Sequence, residues 1–368
     1  MTVRITKPEF NIREKLSELD IPVGNHGTQL MKSSDVAETH NLLQLKNRRK
    51  NYFINGDCRI WQRGTSNPHV NHYTCDRWWR ANGATQVDRS TDVPAYNTTG
   101  AEAFSYSMKV TSNGNGSNIG QPIELTDTGV SQFGNGKQYT LSFYAKTDSG
   151  TGDVGIVLYY RNSKFSGTNQ VNWEPNHSPH VGTMNRGWQR FVYTFTAPAV
   201  HSNNTILAFE LNFNVTTYFT GFQLEEGPQV TPFEFTNEAE EYELCQRYFQ
   251  SNFPVGVPPQ NGYYSTTQKL AAGFNGVVCF NGSQARAPWV MFHPKMRTTP
   301  TVTLYSASSS DTDGQWAAYK GSWNSGSSMQ IDDFGSNGFG VRFNSGGHSF
   351  IVGEAYLYRG MWIADAEL

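Results

Sequence analysis

Residues 138–147 read QYTLSFYAKT, and residues 152–161 read GDVGIVLYYR. Apolar side chains occupy every second position from 139 to 145 and again from 154 to 160. This alternation is typical of a strand that buries one of its two faces. Turn-forming residues precede each stretch, as in Gly134-Asn135-Gly136-Lys137. The two stretches therefore predict strands that contribute to a hydrophobic core.

The same alternation continues further along residues 51–237. It recurs at Phe191, Tyr193 and Phe195, at Leu207, Phe209, Leu211 and Phe213, and at Phe222 and Leu224. Because no helical pattern separates these segments, their spacing predicts a β-sandwich of the jelly-roll kind. Trp188 stands at the start of one segment and is predicted to pack in the core or between the sheets.

The composition also favours an all-β protein. Charged residues make up 16% of the 368 residues, aromatic residues make up 14%, and there are 35 glycines. Disordered chains are rich in charge and poor in aromatics, and coiled coils draw about half of their residues from Ala, Glu, Lys, Leu and Arg. Both classes are excluded. The composition predicts a protein that is secreted or assembled into a particle.

Charge and hydropathy argue against two kinds of partner. The net charge of −2 gives no electrostatic reason to expect binding to nucleic acid. No run of 18 apolar residues occurs, so no membrane insertion is expected. The first residues lack the basic start and apolar stretch of a secretory signal, so export by a classical signal is not expected.

Residues 1–50 are predicted to be a distinct, partly helical region. Ile12, Leu16 and Leu19 share one face of a predicted helix that also contains Phe10. The region is too small and too polar to build a core of its own. We therefore expect it to become ordered on a partner or on other copies of the chain.

A short connecting helix and a second sandwich are predicted beyond residue 237. Asn237 can cap a helix over residues 238–250, and three glutamates favour its start. Residues 251–368 return to alternating segments and predict a smaller β-sandwich. Its predicted strands are Phe274–Phe280, Pro288–Phe292, Thr301–Tyr305, Phe339–Phe343 and Phe350–Tyr358, with loops at 306–314 and 322–328.

Metal and redox chemistry have little support in the sequence. The four cysteines are Cys58, Cys75, Cys245 and Cys279. Their spacing fits no metal site, so we expect free, mostly buried thiols, while a Cys58–Cys75 disulfide across a hairpin stays open. Asp148, Asp153 and Asp313 lie in glycine-rich segments and are candidates for a structural calcium site, although the EF-hand spacing is missing. No other cofactor is expected.

Enzyme signatures are absent from the sequence. It contains no nucleophile elbow, P-loop, zinc-protease motif or dinucleotide fingerprint. The adjacent carboxylates Glu225-Glu226 and Asp332-Asp333 would point to opposite faces of a strand, so neither pair can flank one glycosidic bond. We expect no catalytic residues and no enzymatic activity.

Aromatic side chains are the candidate ligand-binding groups. The 9 tryptophans and 18 tyrosines suit glycans, because sugar rings present apolar faces that stack on exposed aromatic rings. Trp78 and Trp79 are consecutive, so one of them must face outward from a strand, which makes Trp79 a candidate. Trp173, Trp316 and Trp323 lie in loop-like segments and are the other candidate platforms, with contacts between subunits as the alternative.

Five stretches resemble the opening and closure of a domain found in many bacteriophage tail-fibre proteins. Residues 51–66 (NYFINGDCRIWQRGTS) and 73–79 (YTCDRWW) resemble the opening. Residues 220–228 (TGFQLEEGP), 231–234 (TPFE) and 245–249 (CQRYF) look like the closure.

Further stretches extend the resemblance over most of the chain. Residues 139–146 and 187–195 are similar to the jelly rolls of carbohydrate-binding modules. Residues 296–304 and 362–368 look like C-terminal domains of phage fibres, and residues 3–16 resemble the N-termini of virion proteins from phages of cyanobacteria.

The resemblance implies a non-enzymatic virion component, often a homotrimer, that docks on the particle by its N-terminal residues. Phe10, Ile12, Leu16 and Leu19 are then the virion-docking candidates, and residues 251–368 the candidate receptor-binding domain. Such a protein would assemble in the host cytoplasm, contact other virion proteins, and reach host glycans after lysis.

Three functions are compatible with these features. The leading hypothesis is a tail fibre that attaches to host-surface glycan; it would be short, because the chain lacks the repetitive or coiled-coil shaft of long fibres. A decoration of the phage head or neck with a mainly structural role is the second. A glycan depolymerase is the third.

Overall fold

A computed structural model describes most of residues 51–368, which form one compact unit. The described residues are 51–67, 72–80, 83–95, 103–114, 116–125, 133–134, 136–161, 170–172, 180–198, 205–263, 273–281, 284–287, 289–306, 316–320, 322–324, 329–344 and 350–368. The predicted docking helix with Phe10, Ile12, Leu16 and Leu19 lies outside the described residues.

Two antiparallel sheets make up the first part of this unit. Their strands are β1 (Ser66–Asn67), β2 (His72–Tyr73), β3 (Trp79–Arg80), β4 (Ala84–Ser90), β5 (Ser107–Ser112), β6 (Ser117–Glu124), β7 (Gln138–Thr147), β8 (Gly152–Arg161), β9 (Gln170–Asn172), β10 (His180–Met184), β11 (Gln189–Thr196), β12 (Ile206–Phe213) and β13 (Thr217–Glu226). In the described chain, the first sheet has the order β1-β4-β5-β13-β7-β11. The second has the order β10-β8-β12-β6-β3-β2, and β9 pairs with β8.

The alternating apolar residues of both sheets meet in one core. In the first sheet, Phe143 pairs with Phe191, and their stacked rings have centroids 5.5 Å apart. In the second sheet, Phe209 pairs with Leu158. All four side chains belong to the same buried cluster. The predicted all-β class and the jelly-roll-like sandwich are confirmed.

One short helix follows the first sandwich in the described chain. Helix α1 (Glu238–Gln246) begins after Asn237, whose side chain accepts a hydrogen bond from the Ala239 amide at 2.9 Å. The predicted helix is therefore confirmed, although it ends before residue 250 because residues 249–251 pair as a strand. No helix among the described residues has the length and apolar character needed to cross a membrane.

Residues 249–365 contain the second group of strands. They are β14 (Phe249–Ser251), β15 (Gly273–Asn281), β16 (Gln284–Arg286), β17 (Val290–Met291), β18 (Thr301–Tyr305), β19 (Ala317–Lys320), β20 (Ser322–Asn324), β21 (Met329–Gly335), β22 (Gly338–Asn344), β23 (Ala355–Arg359) and β24 (Met361–Asp365). A small sheet has the order β14-β24-β18, and a larger one β17-β22-β16-β15-β23-β19-β20 with β21 on β22. Phe292, Phe339 and Trp362 pack in their core.

The described cysteines are reduced and buried. Cys58, Cys75 and Cys245 are free, so the expectation of buried thiols is confirmed for these three and a Cys58–Cys75 disulfide is absent. Burial raises the pKa of the Cys75 and Cys245 thiols, which keeps them protonated and unreactive. The side chain of Cys279 lies outside the described residues.

A cluster of buried charges joins the first sandwich to the second group of strands. Arg63 contacts Asp76 at 2.8 Å and Glu367 at 3.1 Å, and Arg77 forms a second ion pair with Glu367. We call Arg63, Asp76, Arg77 and Glu367 the Arg77 cluster. The Arg77 guanidinium also lies 3.5 Å from the centroid of the Tyr248 ring.

The Arg77 cluster gathers several of the stretches that resemble phage-fibre proteins. Arg63 belongs to residues 51–66, Arg77 to residues 73–79, Tyr248 to residues 245–249, and Glu367 to residues 362–368. These stretches are far apart in sequence but meet in one buried contact. Their role here is structural, because each supplies a charge or a ring that the others need.

Replacing Glu367 with alanine should destabilise the fold strongly. The substitution leaves the buried Arg63 and Arg77 guanidinium groups short of a carboxylate, and breaking such a buried pair costs about 3–5 kcal/mol. The free energy of unfolding, measured by guanidinium chloride denaturation, reports the loss. The matched control is Glu226→Ala, which removes a half-exposed pair with Lys137 and should cost under about 1 kcal/mol. Equal effects of the two variants would contradict the importance of the cluster.

Candidate functional site

The outer face of the first sheet is largely covered by its own chain. Phe104 and Phe233 pack on Tyr144 there and form a small apolar cluster outside the main core. Arg190 stacks on Tyr144 and donates a hydrogen bond to the Thr231 carbonyl oxygen at 2.7 Å. Most of the polar groups on this face are therefore used inside the protein.

Trp188 lies at the edge of this covered face, not in the core as predicted. Its indole N–H donates a hydrogen bond to Asp92 at 3.0 Å, and its ring lies 5.7 Å from the Lys146 ammonium and 6.5 Å from the Tyr218 ring. The prediction was wrong because the core positions of this segment are Phe191, Tyr193 and Phe195, so Trp188 has the opposite parity and falls on the outer face, where it packs against the cluster of Phe104, Tyr144 and Phe233.

The outer face of the second sheet carries a row of polar side chains. Along β12, Phe209 and Leu211 point into the core, so Glu210 and Asn212 point outward. Asn118 of β6 pairs with Asn212 across the sheet. On the other side of β12, Asp153 of β8 is exposed. Neighbouring strands thus place carboxylate and amide groups side by side on one surface.

Hydrogen bonds fix this row of polar groups. The Tyr159 hydroxyl donates to Glu210 Oε1, and the Asn118 amide donates to Glu210 Oε2 at 3.2 Å. The Asn212 amide in turn donates to Asn118 Oδ1 at 2.8 Å. Burial and the neighbouring Glu210 carboxylate raise the pKa of Tyr159, so its hydroxyl remains a donor. The Glu210 carboxylate is held in one orientation before any ligand arrives.

Trp79 stands across a gap from Glu210 on the same face. In the strand register, Gly120 pairs with Trp79 on one side and with Glu210 on the other. Two strand spacings of about 5 Å each therefore separate the indole from the carboxylate. Because glycine has no side chain, the space between them is open. A Cβ at position 120 would lie 2.2 Å from the Phe209 carbonyl oxygen, so only glycine fits there.

The position of Trp79 agrees with the argument from consecutive tryptophans. Trp78 is fully buried, and Trp79 is half-buried on the outer face. An edge-to-face contact with Tyr73, with centroids 5.1 Å apart, orients the Trp79 ring. We call Trp79, Asn118, Glu210 and Asn212, together with the buried Tyr159 that holds Glu210, the Glu210 face.

A second polar group borders the Glu210 face. Asp153 accepts a hydrogen bond from the Thr183 hydroxyl at 2.8 Å and contacts His180 Nε2 at 3.2 Å. These hydrogen bonds, with that of Thr183 the stronger, lower the pKa of Asp153. The group therefore presents a carboxylate to solvent at neutral pH.

The structure places the other tryptophans that were predicted to stack on glycans in different environments. Trp316 is 0% exposed, so its prediction as an exposed platform was wrong. Its indole packs against Gly360 and donates a hydrogen bond to the Met361 carbonyl oxygen at 2.9 Å, which satisfies its polar atom inside the core. Trp173 and the side chain of Trp323 lie outside the described residues.

The two proposed calcium ligands that the structure describes, Asp148 and Asp153, bond to other side chains. The Asp148 carboxylate accepts a hydrogen bond from the Tyr218 hydroxyl at 2.8 Å and lies 3.4 Å from Lys109, an arrangement that suits an ion pair. Asp313 lies outside the described residues. Within the part of the chain that the structure describes, no three His, Cys, Asp or Glu residues come together as a metal site.

Sequence reasoning missed most of the Glu210 face. The signal was present in residues 206–213 (ILAFELNF), where Glu210 and Asn212 interrupt the apolar alternation. Their relation to Asn118 and Tyr159 depends on strand pairing, which the sequence does not reveal.

One comparison with known proteins matches part of the first sandwich. Residues 71–217 match the family model described as a carbohydrate binding domain, and the whole Glu210 face lies in that range. No curated protein matches the chain.

Solved structures give only distant similarity. Tailspike protein 4 of bacteriophage CBA120 (enzymatically active domain) is 14% identical over 48% of this chain, with a TM-score of 0.31; the match spans 21% of that chain. The CBM22-1 xylan-binding domain of Paenibacillus barcinonensis Xyn10C is 14% identical over 50% of this chain and 100% of its own, with a TM-score of 0.31. The tandem CBM22-1–CBM22-2 domain of the same protein is 11% identical over 88% of this chain and 97% of its own, also with a TM-score of 0.31. The family model itself covers residues 71–217, the range that contains the Glu210 face.

Proposed function

We propose that this protein is a non-enzymatic attachment component of a bacteriophage particle, and that it binds host-surface glycan on the Glu210 face. The observation that carries the proposal is the preorganised Glu210 carboxylate opposite Trp79, within residues that match a carbohydrate binding domain. The leading form is a short homotrimeric tail fibre that assembles in the host cytoplasm.

The chemistry of the Glu210 face suits a sugar. An indole offers its ring to the apolar face of a pyranose, and carboxylate and amide groups bond to hydroxyls. Because Tyr159 and Asn118 already hold Glu210, little side-chain freedom is lost when a ligand binds. The same groups would bind a neutral polysaccharide without requiring a charge on it.

The spacing of the described carboxylates on this face supports binding without hydrolysis. Glu210 pairs with Val157, so Asp153 lies four residues away along β8, which is about 13 Å. Glu124 lies a similar distance away in the other direction, four residues along β6 from Gly120. Glycosidases need two carboxyl groups roughly 5–9.5 Å apart. A depolymerase would therefore need a partner for Glu210 other than Asp153 or Glu124.

The assignment to a virion is supported by the stretches that resemble phage-fibre proteins. Residues 51–66 and 73–79 build the fold around the Arg77 cluster, which explains why they can recur among such proteins with different ligands. Residues 1–50 would then dock on the particle through Phe10, Ile12, Leu16 and Leu19. A head or neck decoration would share these features, so the location on the particle distinguishes the two roles.

Substitution of Glu210 with glutamine should weaken glycan binding about tenfold, because a charge-assisted hydrogen bond to a sugar hydroxyl is lost. Trp79→Ala should weaken it at least as much by removing the stacking surface. Affinity gel electrophoresis of the full chain against β-1,4-xylan, β-1,4-galactan, laminarin and polygalacturonate measures the effect.

The matched control is Glu226→Gln, which changes a carboxylate of the first sheet that pairs with Lys137. It should bind as the wild type does. Retention of wild-type affinity by Glu210→Gln and Trp79→Ala would refute the site, and failure of every polysaccharide to retard the wild type would refute glycan binding. Release of oligosaccharides during the assay would favour the depolymerase.

The protein should form homotrimers. Light scattering of the full chain should give three times the 41.2-kDa chain mass. Electron microscopy of virions labelled with an antibody to residues 251–368 should place the protein at tail-fibre ends. A monomer mass would contradict the trimer, and label on the head or neck would favour the decoration.

A further inference from the structure

Trp289 is an exposed tryptophan far from the Glu210 face in sequence. Its side chain is 46% exposed, directly before β17. A tryptophan on a surface loses the benefit of burial, which for so large a side chain is several times that of a methyl group. Its position therefore requires a structural or a functional reason.

The backbone of β22 supports the Trp289 ring on one face. A Cβ on Gly338 would lie 2.3 Å from the indole Nε1, and one on Gly340 would lie 3.5 Å from Cε3. These two atoms belong to different rings of the indole, so the ring system spans both glycines along the strand. The indole thus lies on the backbone, and its exposed area faces solvent.

Charged side chains border this supported ring. Asp332 pairs with Gly340 in the strand register, so it lies directly beside the position that the indole covers. The Asp332 carboxylate contacts Arg286 at 3.3 Å and Arg342 at 3.4 Å, and Asp333 contacts Arg286 at 3.2 Å. Two guanidinium groups and two carboxylates balance in charge and offer both donors and acceptors. We call Trp289 with Arg286, Asp332, Asp333 and Arg342 the Trp289 surface.

The composition of the Trp289 surface fits a sugar better than a protein partner. The cores of stable protein interfaces are depleted in charge, and such interfaces bury about 1,200–2,000 Å² in total. Here the ion-paired Asp332 lies beside the indole in the strand register, and Met291, two residues further along the chain, is also exposed. A flat ring bordered by balanced donors and acceptors suits one neutral sugar residue, which stacks on the indole and bonds through its hydroxyls.

We propose that the Trp289 surface is a second glycan-binding site, specific for a neutral sugar residue of a polysaccharide. It lies on β16, β17, β21 and β22, outside residues 71–217 and independent of the Glu210 face. With two sites in one chain, the second contact is made by an already tethered polysaccharide, which raises the overall affinity beyond that of either site.

Full-length variants test the proposal in the same affinity gels. Trp289→Ala should weaken binding to the neutral polysaccharide that retards the wild type by about tenfold, as expected when a binding hot spot is truncated. The matched control, Val352→Ser, removes another highly exposed apolar side chain and should leave binding unchanged. The double variant with Glu210→Gln should bind more weakly than either single variant.

The outcomes separate the two sites. Loss of affinity in Trp289→Ala but not in Glu210→Gln would support the Trp289 surface and refute the Glu210 face. The opposite result would refute the Trp289 surface. Selective retardation by polygalacturonate would refute a neutral-sugar site. A smaller mass of Trp289→Ala in light scattering, with the mass of Val352→Ser unchanged, would identify the surface as a subunit interface and overturn the proposal.

Discussion

The burial of two guanidinium groups is the constraint on which this fold depends. Arg63 and Arg77 are largely removed from water, and such charges are tolerated only when carboxylates neutralise them. Glu367 serves both, so residues near position 367 must pack against the start of the first sandwich. Arg77 also has a φ of +72°, a left-handed conformation unfavourable for a side chain. The ion pair with Glu367 holds it there.

This buried cluster determines where the candidate site lies. Arg77 stands two residues before Trp79, and the Tyr73 hydroxyl donates to the Leu368 carbonyl oxygen at 2.7 Å. The short strands β2 and β3 are thereby fixed at the edge of the second sheet, where pairing alone would hold them weakly. Trp79 therefore reaches the outer face beside Gly120 in a defined orientation. Residues of the Arg77 cluster thus position the candidate binding surface without being part of it.

The two proposed glycan sites share one structural feature. In each, a tryptophan lies next to glycine in the neighbouring strand. Trp79 lies next to Gly120, and Trp289 lies next to Gly338 and Gly340. The missing side chains make room for a ring or for a ligand. Carboxylates held by other residues lie on the same faces. Glu210, held by Tyr159, is two strands away from Trp79, and Asp332, held by Arg286, pairs with Gly340. Both surfaces are formed before a ligand binds.

The sequence by itself determined the fold class, the first sandwich and the helix, because alternation with period two and a capping asparagine are local properties of the chain. Tertiary structure decided what local pattern cannot: Trp316 is buried because Gly360 leaves room for its ring, and β20 (Ser322–Asn324) forms in a predicted loop because β19 offers it a partner. Likewise Glu210, Asn118 and Tyr159 come from strands that become neighbours only when the sheet is assembled. The candidate binding face is formed by pairing between distant segments, which no local pattern encodes.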